Sequence, residues 1–331
     1  MFIAGDVGGT KTNLGVYKLS GSVETPVIEA SLPTAPYETL ESLVRDFLSK
    51  HSLTVEFAVF GVAGPVVGSR ATITNLPWII DEESLKSSLG LSFVKILNDL
   101  EAIAYGVPVL HEGDLYTLNQ GKRIPHGPMA VIAPGTGLGE AYITWDGTQY
   151  VAHASEGGHV DFAPTCREEI ELLSYLLERF NHVSYERICS GMGIPNIYNF
   201  LSVMGYYEEP AWFAGKLEST HDKTALILTT ALEDGTPCER CKKTLELFLS
   251  ILGAEAGNMA LKVLATGGIY LGGGILPRII SVIADSPFME SFTRKGRLSH
   301  IISDIPVNVI LNPKIALMGA ATFGLSSLYK H

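Results

Sequence analysis

Apolar residues recur along this chain in two rhythms, and the changes from one to the other mark out its elements. The run Phe2 to Asp6, the polar Gly8 and Gly9, and the resumed apolar Leu14, Val16 and Tyr17 predict a β-hairpin with a polar tip. Glu38 to His51 carries Leu40, Leu43, Val44 and Phe47 at helical spacing and predicts a helix. Phe57 to Val62 reads as a strand closed by Gly64-Pro65. Phe93 to Leu97 reads as another, with Asn98-Asp99 where it yields to a helical pattern over Ala102 to Gly106. The second half repeats the opening theme: a strand Pro128 to Ala133, a glycine-rich turn Gly135 to Gly139, and a strand again from Ala141 to Trp145. Helices follow over Glu168 to Phe180, with Ile170, Leu173, Leu176, Leu177 and Phe180 on one face, and over Lys243 to Leu264. Two strand-to-helix units close the chain: Ile269 to Leu271 through Gly272, Gly273 and Gly274 into Leu276 to Ala284, and Val307 to Leu311 into Ala316 to Tyr329.

Strands alternating with helices imply an α/β fold, and 331 residues exceed what one core usually serves, so two lobes are expected. Two polar-tipped hairpins, one in each half, suggest a duplicated architecture whose tips face each other across a ligand-holding cleft.

Composition narrows the partners. Hydrophobic residues make up 46% and charged ones 18%, which suits a large core and excludes disorder. A net charge of −11, with no Lys/Arg block to offset it, argues against nucleic acid. No apolar run is long enough to cross a bilayer, and Met1 leads into a strand without a leader pattern, so a soluble cytoplasmic protein is expected. Of the four cysteines, only Cys238 and Cys241 are suggestively spaced. Neither further ligands nor a thioredoxin-like setting accompanies them, and helix-start cysteines are the simpler reading.

The chemistry-bearing strings are ambiguous singly. Asp6-Val7-Gly8-Gly9-Thr10-Lys11-Thr12 suits a phosphate-facing turn or a plain tight hairpin; it is no P-loop, because a strand follows Lys11-Thr12. Gly135, Thr136 and Gly137 form a second such turn, and two together fit polyphosphate better than one. Asp99 and Asn98 stand where either could merely cap a helix. In Glu156-Gly157-Gly158-His159 the glycines let backbone approach something between two titratable groups, yet His159 also fits a core histidine. Glu186 reads equally as a surface carboxylate.

Together these strings resemble the bacterial glucokinase family over nearly the whole chain, with Glu156-Gly157-Gly158-His159-Val160-Asp161-Phe162-Ala163-Pro164 the most specific match. The resemblance implies a two-lobed actin-like ATPase (ribonuclease H-like) fold, mixed sheets flanked by helices, with a small domain of 1-109 plus 313-331 and a large domain of 110-312. It implies phosphorylation of glucose at its 6-hydroxyl by ATP, with Asp99 as general base. Asn75, within Thr74 to Trp78, Asn98, Glu156, His159 and Glu186 would contact the sugar. Asp6 to Thr12, Gly135 to Gly137 and Gly272 to Gly274 would border the nucleotide, with Gly319-Ala320-Ala321 nearby. Mg2+ would be held by Asp6 through water. A homodimer is compatible with the resemblance, although no interface is legible.

Two departures accompany the match. Glu140 stands where the family more often has a small apolar residue, so it either points outward or weakens nucleotide binding. Cys238 and Cys241 do not match the zinc-binding cysteines of the related repressor and sugar-kinase group, which places the chain outside it. A kinase of mannose, fructose or glucosamine, a sugar-sensing regulator and a non-catalytic scaffold are the rival readings. A regulator would need a DNA-binding segment, and none precedes Asp6.

Overall fold

The computed structural model describes residues 1–73, 76–233 and 238–327. Two compact units emerge: Met1–Glu112 with Tyr142–Ala154 and Asn312–His331, and Gly113–Ala141 with Ser155–Leu311.

In the first unit, β1 (Phe2–Val7), β2 (Lys11–Tyr17), β3 (Ile28–Pro33), β4 (Phe57–Val62) and β8 (Phe93–Asn98) form a five-stranded sheet ordered β3-β2-β1-β4-β8. Between β4 and β8, short strands β5 (Val66–Val67), β6 (Arg70–Thr72) and β7 (Ile79–Asp81) make a separate sheet. β1 and β2 pair antiparallel, while β1, β4 and β8 run parallel. All of β4 is buried, as its unbroken apolar run requires of a strand covered on both faces. Alternate residues of β1 serve two cores, Ile3 and Val7 on one face, Phe2 and Ala4 on the other. The helix Leu40–Lys50 covers the first face with Leu40, Leu43, Val44 and Phe47. It starts at Thr39, whose side chain accepts from Ser42 N–H while Ser42 reciprocates. Helices Asp99–Gly106 and Ile315–Ser327 cover the other face. They meet so closely that a Cβ on Gly319 would lie 1.7 Å from the Ala102 carbonyl oxygen.

The second unit holds most of a six-stranded sheet ordered β12-β11-β10-β13-β14-β9, where β9 is Leu115–Asn119, β10 Met129–Pro134, β11 Leu138–Trp145, β12 Tyr150–Ser155, β13 Gly268–Leu271 and β14 Val307–Ile310. β10, β13 and β14 run parallel. The buried helix Glu239–Val263 begins just after Cys238, four residues ahead of the apolar pattern that signalled it; Cys238 and Cys241 are buried free thiols.

Two expectations change. The segment expected as one helix over Leu276 to Ala284 is a 3-10 turn, Leu276–Ile279, followed by a single helical turn, Ile280–Ile283, with Pro277 inside the first. The helix Arg167–Leu177 buries Glu169, Leu172 and Leu176 and leaves Ile170 and Leu177 exposed, so its inward face is turned from the one the periodicity suggested. Glu169 makes that turn tolerable by accepting from the amide and hydroxyl of Thr165, at 2.5 and 2.9 Å.

Candidate active site

The candidate residues fall into two groups, one in each unit. In the first unit, Asp6 lies near the end of β1, opposite Asn13 of β2, and Asn13 Nδ2 donates to its Oδ2 at 2.8 Å. Burial raises the Asp6 pKa, a shift moderated by that hydrogen bond and by the charge of Lys11. The turn between β1 and β2 closes with Gly8 N–H on the Lys11 carbonyl at 3.1 Å and leaves Thr10 and Lys11 exposed. Thr12 faces inward instead. It is fully buried, 3.0 Å from the hydroxyl of Thr34, which itself donates to the Gly8 carbonyl at 3.0 Å, so Thr12 braces the turn from behind.

The helix Asp99–Gly106 begins where β8 ends, and Asn98 is its cap. Asn98 Oδ1 accepts from Leu100 N–H at 2.9 Å and its Nδ2 donates to the Gly64 carbonyl at 3.1 Å. Asp99 is therefore relieved of the capping position, although its Oδ1 also accepts from Leu100 N–H at 2.9 Å. Burial pushes the Asp99 pKa up to about 6; the Leu100 hydrogen bond opposes this and the negative charge of Asp6 adds to it. A carboxylate so tuned is unprotonated at neutral pH yet basic enough to accept a proton in a transition state.

In the second unit the remaining residues converge at the carboxyl ends of parallel strands, where open α/β sheets hold ligands. Gly135, Thr136 and Gly137 follow β10. Gly135 N–H donates to the Gly137 carbonyl, and Gly191 N–H to the Gly135 carbonyl, both at 2.8 Å. Gly272, Gly273 and Gly274 follow the adjacent β13. Gly273 has φ +84°, and a Cβ there would lie 2.3 Å from the Pro134 carbonyl oxygen, so this position requires glycine.

Glu156 stands at the head of the 3-10 turn Gly157–His159, and both Glu156 and His159 are exposed. Glu186 Oε2 accepts from Leu138 N–H at 2.9 Å, and its Oε1 lies 4.0 Å from His159 Nε2. A Cβ on Gly137 would meet that carboxylate at 2.3 Å. The Glu186 carboxylate thus touches the glycine-rich turn and the His159 ring together. An open cavity of about 400 Å³ lies against His159, Glu186, Arg187 and His182.

Asn75, like Thr74, lies outside the described residues. Among the described residues, no group of three or more His, Cys, Asp or Glu side chains is arranged to hold a metal, and no helix is long and apolar enough to cross a membrane.

Two participants, Asn13 and the Gly64 carbonyl, escaped the reading of the sequence, and a third, Glu140, was read as pointing outward or weakening nucleotide binding. Asn13 orients Asp6, Gly64 anchors Asn98, and Glu140 is buried beneath Gly157 rather than pointing outward. Glu140 is two residues from the buried Leu138 on one strand, and period-two alternation puts both on one face. The hairpin register likewise sets Asn13 opposite Asp6.

Comparison with known proteins bears on this geometry. The family model described as Glucokinase matches residues 3–326. A glucokinase of Trichormus variabilis is 40% identical, over 97% of this chain and 98% of that protein. The crystal structure of a glucokinase from an Antarctic psychrotroph is 29% identical and superposes with a TM-score of 0.83, covering 98% of each chain. A ROK family glucokinase from Streptomyces griseus, solved with glucose and AMPPNP, shares the fold at 21% identity and a TM-score of 0.63, covering 97% of each chain.

Proposed function

This chain belongs to the glucokinase family, and from that premise we propose that it moves the terminal phosphoryl group of ATP onto the 6-hydroxyl of glucose, with Asp99 as general base. The observation that carries the assignment of the base is the half-buried Asp99 carboxyl, which stands one residue beyond the Asn98 cap and has its pKa raised to about 6. As the hydroxyl oxygen attacks the phosphorus, its proton passes to Asp99 and the bond to the ADP oxygen breaks. Phosphoryl transfer asks mainly for positioning and charge neutralisation, so a single base suffices.

Glu156, His159 and Glu186 supply acceptors and a switchable donor to the sugar hydroxyls, the mixture needed to tell epimers apart. Asn98 retains one free amide hydrogen, after donating to Gly64, to offer a hydroxyl. Asn75 would complete the set. The exposed Thr10 and Lys11, with Gly8 and Gly9, offer donors and charge to phosphates, as do the amides of Gly135 to Gly137; Gly272 to Gly274 would border the adenosine. In this reading Thr12 acts through Thr34 rather than by contact.

The oxygen ligands at Asp6 suit a hard cation such as Mg2+, which when bound neutralises charge on the ATP phosphates. The raised pKa of Asp6 fits the role, because a buried carboxylate short of a cation gains most from acquiring one. A cytoplasmic location accords with this substrate pair.

The test is a coupled assay of purified protein with ATP and glucose, mannose, fructose or glucosamine. The highest kcat/KM is expected on glucose. A preference for another sugar would overturn the acceptor, and no transfer to any of them would overturn the reaction.

A further inference from the structure

Glu140 is a buried carboxylate that the proposed chemistry leaves unused. It lies on β11, 1% exposed, and its Oε1 is buried without a hydrogen-bond partner. Its Oε2 occupies the space beneath Gly157: a Cβ on that glycine would lie 1.9 Å from Oε2 and 3.1 Å from Ser155 Oγ. The neighbouring Gly158 is as tightly seated, with a Cβ there 2.0 Å from the Leu138 carbonyl oxygen. The turn bearing Glu156 and His159 therefore rests directly on β11 through Glu140 and Leu138.

The groups around Glu140 give an ionised form little support. From the helix Glu239–Val263 it faces the fully buried Glu255, whose oxygens are engaged by Lys262 at 2.9 Å and Asn258 at 2.9 Å. Tyr185 accepts from the same Asn258 at 3.1 Å, and Lys295 is spent on Asn258 and the Ala254 carbonyl at 2.7 and 2.8 Å. From the segment after Tyr185 it faces the Cys189 thiol, whose pKa burial raises, with the charges of Glu255, Glu169 and Glu140 adding to the shift. Lys262, half exposed and bound to Glu255, favours ionisation of Glu140 less than burial and Glu255 oppose it. A buried carboxyl without a hydrogen bond is tolerated far better neutral than charged.

We propose that Glu140 is a positioning residue for the acceptor sugar: as the neutral acid it fills the space beneath Gly157 and seats the Glu156–His159 turn, and when ionised it unseats that turn and weakens sugar binding. This rests on the sugar-contacting roles of Glu156 and His159 proposed above. Burial, with Glu255, pushes the Glu140 pKa up to about 7, which puts the change within the working range.

Steady-state kinetics of wild type and Glu140→Gln between pH 6 and 9 test the idea, since Gln copies the neutral acid. In wild type the glucose KM rises above pH 7, by about tenfold per pH unit at the steepest, with kcat and the ATP KM little changed. In Glu140→Gln that rise is absent. Titration of Asp99 is common to both proteins and cancels in the comparison.

Gly157→Ala supplies an arm independent of Gln. It raises the glucose KM at every pH, and combining it with Glu140→Ala, which vacates the space the new methyl needs, recovers part of the loss. Superimposable KM profiles of an active wild type and Glu140→Gln overturn the inference, as does a Gly157→Ala enzyme with unaltered KM. A wild type inactive on every sugar removes the functional reading first, and this inference with it.

Discussion

Replacing Asp99 with Asn should destroy activity and stabilise the protein in one stroke. The amide oxygen can still accept from Leu100 N–H, as the carboxylate does at 2.9 Å, so the helix start survives while the proposed base is lost. General-base catalysis contributes about 10² to 10⁴ in rate, or roughly 3–5 kcal/mol, and kcat should fall by that amount with the glucose KM changed only severalfold. The stability term has the opposite sign. Asp99 is raised from 3.8 to about 6 on folding, so the folded state binds the proton more tightly than the unfolded one. Its contribution is fully present below pH 3.8 and is lost as pH rises through 6, leaving a penalty of at most about 3 kcal/mol above that. Asn escapes the penalty. Thermal melts should show Asp99→Asn more stable than wild type by several degrees at pH 7.5 and equal to it near pH 4. In wild type, kcat/KM should fall about tenfold per pH unit below pH 6. Near-normal turnover in the variant refutes the base; lost turnover without stabilisation at pH 7.5 refutes the account of its environment.

Glu186→Ala should raise the glucose KM and the ATP KM together, each roughly tenfold, because it removes the proposed sugar contact and frees the Leu138 amide beside the glycine-rich turn; an unchanged ATP KM counts against the shared contact. Gly319→Val, judged by denaturant melts, should destabilise the protein by about 3 kcal/mol or more, since its Cβ would strike backbone at Ala102 and no side chain can yield. Chelation with EDTA should abolish transfer and Mg2+ restore it, with turnover in excess chelator as the contrary result.

Much of the fold was legible because buried strands announce themselves as apolar runs. β1, β4, β8, β10 and β13 lie where such runs ended in glycine or polar residues. The helix Arg167–Leu177 was legible in extent but not in rotation, because Glu169 buries a carboxylate on contacts from Thr165 that periodicity cannot foresee. The division of labour between Asn98 and Asp99 was hidden for a related reason. Either side chain can cap, and only the path of the chain, which sets the Gly64 carbonyl within reach of the Asn98 amide, decides between them. Of the two readings of Glu140, the outward-pointing one fails because its charge was weighed ahead of its parity with Leu138.

The close fit of Gly319 against Ala102 has a consequence for biosynthesis. The helix bearing Asp99 is packed by the segment Ile315–Ser327, made after about 200 residues of the other unit have left the ribosome. At common elongation rates that interval is roughly 10–40 s. The first-made half of the molecule must therefore wait, incomplete and open to chaperones and proteases, while the half made later can finish folding ahead of it. A nascent chain cut short anywhere before Ile315 lacks the wall against which the helix bearing Asp99 is held, so premature termination yields no partly working kinase.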